Sequence, residues 1–484
     1  MARKIKLSTR LIYGTGDFYG GASVTIISML FLFFLTDVVG LRAIYAGIVI
    51  FIGRMIDAVT DPLMGNISDK TRSQWGRRNP YFLFFAIPVG VSFGLLWMKV
   101  GFAKQILSFV YYTAAYSLFS IVFTAVMVPY AALAPELTTD YNERTALIST
   151  RMAFSIIGAL SAAVIPKTII DSVGSGARGY VLMSLVFGLV FVLIWFIMFF
   201  HMKNKEVYTS QYKSDSFFKS LLSCFRNKPF VLLIFIYLFS FIPSDILSAN
   251  FIYYLTYYLK EPGLYTTIMG GLLICAALSL IIYVRLSKKL GKRNTYLIGA
   301  GYWILALSFL VFFREGVSAY ILIGYAILLG LGLGVSYAIP WSMLPEVIDA
   351  DEVVSGQRRE GLYSGVMTFL RKLSTSVVIL GMSYILDISG YISSTAGGTV
   401  AQPQSAVLAI KYTTAIGPIV FLIFALVSAI RFPINRHNYM YMRKYLDFKN
   451  KTSEEPLTEE DKEQIVSSVR EITGTEIIGG GASS

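Results

Sequence analysis

The chain has 484 residues, of which 55% are apolar and only 15% charged, and its formal net charge is +13. A soluble protein of this length needs far more polar surface, because folding never hides every residue. Apolar runs of about twenty residues recur along nearly the whole chain, each able to cross a hydrocarbon core as a helix that satisfies its own backbone, so an all-α membrane protein is expected.

In chain order the runs predict twelve spans, near 11–36, 41–64, 80–98, 105–133, 151–172, 179–201, 229–258, 264–285, 294–313, 318–343, 362–388 and 407–431. The first carries Asp17 within Gly14-Thr15-Gly16-Asp17 and lacks a small-residue cleavage site, so it reads as a span and not as a cleaved leader. The second carries Arg54, Asp57, Thr60 and Asp61, and the loop after it carries Asp69, Arg77 and Arg78. Thr124 lies in the fourth span and Arg151 opens the fifth. Residues 202–228 are polar and form the expected connector. Gly330, Gly332 and Gly334 alternate in the tenth span together with Tyr337, which suits close helix packing; with no strand before them they are no nucleotide motif. The eleventh span holds Thr368, Arg371 and Lys372. Beyond residue 432 a soluble tail follows, in which Thr458-Glu459-Glu460-Asp461 opens a short amphipathic helix and Gly479–Ser484 is expected to be disordered.

With both termini placed in the cytoplasm, the cytoplasmic loops carry several times more Lys and Arg than the external ones. That is the positive-inside pattern, so the basic excess reads as topology, with anionic lipid headgroups and not nucleic acid as its partner. Cys224 and Cys275 are far apart in sequence and imply neither a disulfide framework nor a metal cluster. His201 and His437 fall near span ends, where interfacial packing accounts for them.

Two stretches echo each other about 210 residues apart. After the fourth span the chain reads Val128-Pro129-Tyr130-Ala131-Ala132-Leu133-Ala134-Pro135-Glu136, and after the tenth Ile339-Pro340-Trp341-Ser342-Met343-Leu344-Pro345-Glu346. Likewise Gly76-Arg77-Arg78-Asn79 ends the loop after the second span, and Gly291-Lys292-Arg293-Asn294 the loop after the eighth. Corresponding marks at corresponding span ends predict two six-helix halves, residues 1–201 and 229–432, joined by 202–228 and followed by the tail 433–484. Such an architecture binds its cargo between the halves and exposes it alternately to either side.

A charge inside a span asks for a partner or a task. Asp57 and Asp61 are four apart and share one helix face, so their repulsion is relieved by a bound cation or by a proton. Thr60 and Thr124 add neutral oxygen ligands. The alternative is that the two acids only pair with Arg54 and another base. Arg371 and Lys372 are adjacent and point about a hundred degrees apart, and Lys372 is the expected partner of the acids, released in part when a cation arrives. Arg371 is read as structural or gating, with Arg54, Asp69, Arg77 and Arg78. Asp17 either pairs with Arg151 or binds cargo hydroxyls. Three acids (Asp17, Asp57, Asp61) against four bases (Arg54, Arg151, Arg371, Lys372) suggest a slightly positive interior suited to an anionic cargo.

Thr36-Asp37-Val38-Val39-Gly40-Leu41 and Arg54-Met55-Ile56-Asp57-Ala58-Val59-Thr60-Asp61-Pro62-Leu63-Met64-Gly65 resemble the glycoside–pentoside–hexuronide:cation symporters of the major facilitator superfamily. So do Arg72-Ser73-Gln74-Trp75-Gly76-Arg77-Arg78-Asn79-Pro80 and Gln357-Arg358-Arg359-Glu360-Gly361-Leu362-Tyr363-Ser364. The resemblance implies a cation site, sodium or proton, at Asp57 and Asp61 with Thr60 and Thr124. It also implies a cargo cavity lined by Asp17, Arg151, Tyr337, Thr368 and Lys372. Two acids that grip the sugar in melibiose-permease-like members are absent: Gly21 and Met127 stand in their places. Gly16-Asp17 and Phe369-Leu370-Arg371-Lys372 look more like the glucuronide carriers. The expected function is cation-coupled symport of a sugar, glycoside or hexuronide across the cell membrane, without a cofactor. A lysolipid symporter on the same fold and a non-transporting sensor are the alternatives. No nucleophile–base pair or metal-spaced His/Asp set points to an enzyme.

Overall fold

A computed structural model describes residues 5–138, 140–174, 176–203, 223–394, 400–449 and 458–474. Most of the connector 202–228 and all of Gly479–Ser484 therefore lie outside the described residues. Every described element is helical. Among the described residues, eleven helices are long and apolar enough to cross a membrane.

The helices are α1 (Leu7–Ile26), α2 (Ala43–Lys70), α3 (Asn79–Leu96), α4 (Gln105–Leu137), α5 (Tyr141–Ser172) and α6 (Ala177–Met202). After the connector come α7 (Lys228–Tyr253), α8 (Tyr265–Leu290), α9 (Lys292–Ser308), α10 (Ala319–Ser355) and α11 (Glu360–Ile388). The last span is two helices in series, α12 (Gln404–Ala415) and α13 (Gly417–Ile430), and the tail supplies α14 (Arg436–Lys449) and α15 (Glu459–Thr473). The first span is not one regular helix either. Beyond Ile26 it runs through two π-helical stretches, Ile27–Phe31 and Phe34–Val38, and α7 likewise runs into a π-helical Tyr254–Tyr258. The extra residue in each such turn re-aims the side chains that follow, and these turns carry Asp37 and Tyr257.

Exposed apolar side chains are ordered in stripes. On α6, Leu185, Leu189, Leu193, Ile197 and Phe200 are exposed at spacings of four and three, which puts them on one face. A contiguous apolar face of this size suits hydrocarbon and not water.

Within the first six helices α1 packs along α5, α2 along α4 and α3 along α6; in the second group α8 packs along α10 and α7 along α13. The two groups meet where α2 lies against α11 and α5 against α8. Glycine makes the tightest contacts possible. A Cβ on Gly158 would stand 2.5 Å from the Phe18 carbonyl oxygen, and one on Gly330 2.4 Å from that of Leu272, so neither position accepts a side chain without moving a backbone. The alternating glycines of α10 thus serve packing: Gly332 faces the Trp303 ring and Gly334 faces Ser279.

Candidate functional site

The acidic pair sits where α2 meets α4 and α11. Asp57 is 3% exposed, and one turn on, Asp61 is half-buried on the same face of α2. Thr124 of α4 stands between them, its hydroxyl 2.9 Å from Asp57 Oδ1 and 3.0 Å from Asp61 Oδ1. From the second helix group Lys372 of α11 reaches across, its Nζ 2.8 Å from Asp57 Oδ2 and 2.5 Å from Asp61 Oδ2. Thr60 Oγ1 is 3.3 Å from Thr124 Oγ1 and donates back to the Ile56 carbonyl at 2.9 Å. Two carboxylates therefore share one ammonium on one side and the Thr124 hydroxyl on the other, with Thr60 beside that hydroxyl. Carboxylate and hydroxyl oxygens are the ligand types that a small hard cation takes. Arg54 is on the same helix behind Asp57, lining a small cavity with Asp57, Tyr116 and Ser120, while its Nε has no hydrogen-bond partner. It does not bridge the two acids.

Asp17 of α1 and Arg151 of α5 form an ion pair, Nε to Oδ2 at 2.5 Å. The guanidinium also lies over the Tyr130 ring, 4.6 Å from its centroid, while Tyr13 and Tyr130 each donate a hydroxyl to the other's carbonyl at 2.8 Å. Asp17 thus makes the pair with Arg151 that the first of its two sequence alternatives describes. Gly21, which takes the place of a family acid, is pressed on α5: a Cβ there would be 2.3 Å from the Ser155 carbonyl oxygen, so this packing leaves no room for a carboxylate.

Arg371 calls for a correction. The count of three acids against four bases omits Asp245 of α7. In the structure Arg371 and Asp245 form a two-pronged ion pair, both N–O distances 2.7 Å, with Thr375 bonded to both partners. With Asp245, and with Asp37 in the π-helical end of the first span, those four bases no longer outnumber the acids, and the inferred positive interior disappears. Tyr337 of α10 is 42% exposed, with its hydroxyl 3.3 Å from Ser244 Oγ. Thr368 is exposed and donates only to the Ser364 carbonyl, 2.9 Å away. It is one turn from Lys372 on α11, apart from the acidic pair.

Asp69, Arg77 and Arg78 meet at the basic end of the first group. Arg78 is 4% exposed and binds Asp69, Ser68 and, at 3.1 Å, Glu136 at the end of α4; Arg77 binds Glu136 as well. In the second group Lys292 binds Glu346 at 2.8 Å. At the opposite end the two groups are latched together. Asp37, 2% exposed, accepts hydrogen bonds from Tyr257 and from Tyr391 at 2.7 and 2.8 Å. Thr36 and Tyr253 join hydroxyls at 2.7 Å, and Arg42 pairs with Asp387 at 2.9 Å. Asp37 and Glu136 were quoted as motif letters without a role. Apart from the Thr36 hydroxyl beside Asp37, the partners described for them here are more than fifty residues away, and no local spacing announces such pairings.

Residues 12–436 match the profile of the family described as MFS/sugar transport protein. An uncharacterized symporter of Synechocystis sp. is 30% identical, covering 92% of this chain and 97% of its own. An isoprimeverose transporter of Lactiplantibacillus pentosus is 28% identical, covering 80% of this chain and 81% of its own. A sodium-dependent lysophosphatidylcholine symporter of Danio rerio is 24% identical over 87% and 85%. Among solved structures, a bacterial homologue of the lysosomal transporter Spinster superposes with a TM-score of 0.64 at 13% identity, over 91% of this chain and 97% of that one, a likeness of fold alone.

Proposed function

The chain belongs to the MFS/sugar transport protein family, and from that premise we propose that it is a cation-coupled symporter of a sugar or glycoside, working by alternating access. It is a multi-pass membrane transporter and not an enzyme. The single observation that carries the coupling is Lys372 of α11 held by Asp57 and Asp61 of α2, because this contact joins the two helix groups at the place where a cation fits.

A sodium ion or a proton arriving at the aspartates takes over the role of the ammonium. Lys372 is then released toward the cargo, and the tie between the groups changes with the load. Such coupling is a reciprocal free energy, so cation and cargo tighten each other's binding by the same factor. The helix groups α1–α6 and α7–α13 act as the rocking halves, with both termini on the cytoplasmic side and the first, π-broken span as the twelfth crossing. The Asp37 latch closes the end away from the basic loops, and Tyr337 is 42% exposed. This geometry supports a state open toward the basic end.

The test is uptake into proteoliposomes of labelled galactosides, pentosides, glucuronides and lysophosphatidylcholine under imposed sodium or proton gradients, with the intact chain and with Asp57→Asn. Accumulation of a glycoside against its gradient, lost in Asp57→Asn, is the expected result. Movement of the lysolipid alone would overturn the cargo and keep the site. Gradient-driven accumulation that survives Asp57→Asn would overturn the site.

A further inference from the structure

We propose that Arg371 of α11 and Asp245 of α7 form a second polar subsite for the cargo, and that it takes adjacent hydroxyls of an uncharged sugar ring. This rests on the reading above that the cargo is a sugar. Adjacent residues of α11 face different ways: Lys372 crosses to α2, whereas Arg371 turns to α7 of its own group. Neither member of the pair is fully hidden, since the arginine side chain keeps 20% and the aspartate 10% of its exposure. A pair that only tied α7 to α11 would gain little from ionic character, because the desolvation of two charges offsets their attraction.

The chemistry of the fork selects its ligand. Both arginine amino nitrogens are committed to the carboxylate, at 2.7 Å each, and Thr375 adds a donor at 3.2 Å. An anionic group that accepted from a remaining guanidinium N–H would stand beside the Asp245 carboxylate, a like charge, with the arginine's own charge already compensated. A hydroxyl meets no such repulsion, for it donates to a remaining carboxylate lone pair while its neighbour accepts from a remaining guanidinium N–H. Arg151 is matched in the same way by Asp17, so neither arginine offers an uncompensated charge to an acid.

The surroundings suit a sugar's apolar face. Arg371 covers the Phe241 ring at 4.6 Å, and Tyr337 stands edge-on to that ring at 5.1 Å. Trp341, one turn beyond Tyr337 on the same face of α10, is 38% exposed. Aromatic faces bordering a hydrogen-bonding fork offer a sugar's C–H face and its hydroxyls a surface each.

The experiment uses matched nitrophenyl glycosides of the glucose and galactose series. Each neutral sugar is paired with its uronic acid, so the two differ only in a hydroxymethyl or a carboxylate. Half-saturation for uptake is read in proteoliposomes, and cation-dependent thermal stabilisation without sugar is read in detergent as the control. The intact chain should favour a neutral member by at least tenfold over its acid. Asp245→Asn should weaken that neutral sugar at least tenfold while the cation-dependent stabilisation stays. Because either single variant can misfold, Asp245→Arg combined with Arg371→Asp keeps the ion pair with its donors and acceptors exchanged; it should fold and bind cation but not regain sugar affinity. Preference for the acid, unchanged half-saturation in Asp245→Asn, or full affinity in the exchanged pair would each overturn the subsite alone. Uptake of none of these glycosides by the intact chain would overturn the sugar reading and the subsite with it.

Discussion

The first six helices and the helices from α7 onward carry the same marks at the same places, yet only one group holds the acidic pair. Arg77 meets Glu136 in the first, and Lys292 meets Glu346 in the second. Arg151 of α5 pairs with Asp17 of α1, and Arg371 of α11 pairs with Asp245 of α7, each guanidinium 4.6 Å from the centroid of an aromatic ring. The helices α2 and α8 break the likeness. Where α2 has Arg54, Asp57 and Asp61, α8 runs from Tyr265 to Tyr283 without a charge, and Met269, Leu272 and Ala276 of that stretch are buried. A repeated frame thus carries a site that is not repeated, and its one basic member comes from the other group.

That asymmetry breaks most sharply at Lys372. Lys372→Ala leaves Asp57 and Asp61 beside each other with no ammonium, and removing one member of a buried ionic set costs about 3–5 kcal/mol. Because the remaining carboxylates suit a metal cation, added sodium should restore part of the loss, whereas a proton-coupled carrier would regain it only at lower pH. Thermal unfolding in detergent across a sodium and pH series checks this. Equal loss under every condition would show that Lys372 is a structural tie and not a stand-in for the coupling ion.

The repeat-related pairs at the basic end sharpen the comparison with a smaller effect. Glu136 is 3% exposed and answers two arginines, so Glu136→Gln leaves Arg77 and buried Arg78 short of a counter-charge, at a cost of about 3 kcal/mol. Glu346 answers Lys292, whose side chain keeps 30% of its exposure, so solvent screens that pair and Glu346→Gln should cost about 1 kcal/mol. Unfolding midpoints of the two variants measured side by side give the ordering. Equal midpoints would mean that the two ends are energetically alike despite their different burial.

Much of this was legible in the sequence, for reasons that can be named. Apolar runs show spans because lipid demands continuous helices, and the four-residue step from Asp57 to Asp61 shows a shared face because helix geometry is local. The repeated loop ends predict a doubled frame, and the ion pairs Arg77–Glu136 and Lys292–Glu346 fall at those ends. Asp245 was missed because it is a lone acid inside an apolar run, with nothing nearby to pair with. The surplus base in the charge count was the available signal, since Arg371 had no assigned partner. The Asp37 latch joins residues more than two hundred positions apart, Tyr257 and Tyr391 among them. The π-helical turns that aim its donors leave no mark in composition. The break of the last span between Ala415 and Gly417 was likewise read as one continuous run.

The tail adds a last asymmetry and the smallest expected effect. Helices α14 and α15 pack on each other and on α10 and α7, elements of the second group, with Ile465, Val469 and Ile472 buried in that contact. Arg443 and Tyr439 of α14 also bind Asp349 of α10, at 3.2 and 2.7 Å. The start of α15 is closed by a reciprocal cap, in which Thr458 accepts from the Asp461 backbone and Asp461 accepts from that of Thr458. Lys444 adds an ion pair to Asp461 at 2.6 Å, and these bonds hold the carboxyl down at about 2. A lowered carboxyl stabilises the contact wherever it is ionised, so the tail should stay docked at neutral and mildly acidic pH and loosen only as pH falls toward 2. Thr458→Ala removes the cap hydroxyl and should cost about 1 kcal/mol locally, which quickens amide hydrogen exchange over residues 459–473 about fivefold. Among the described residues the buried core of this contact comes from the second group, so the helices of the first group should exchange as before. Faster exchange in α1–α6 as well would show that the tail steadies both groups, and the asymmetry drawn from its packing would fail.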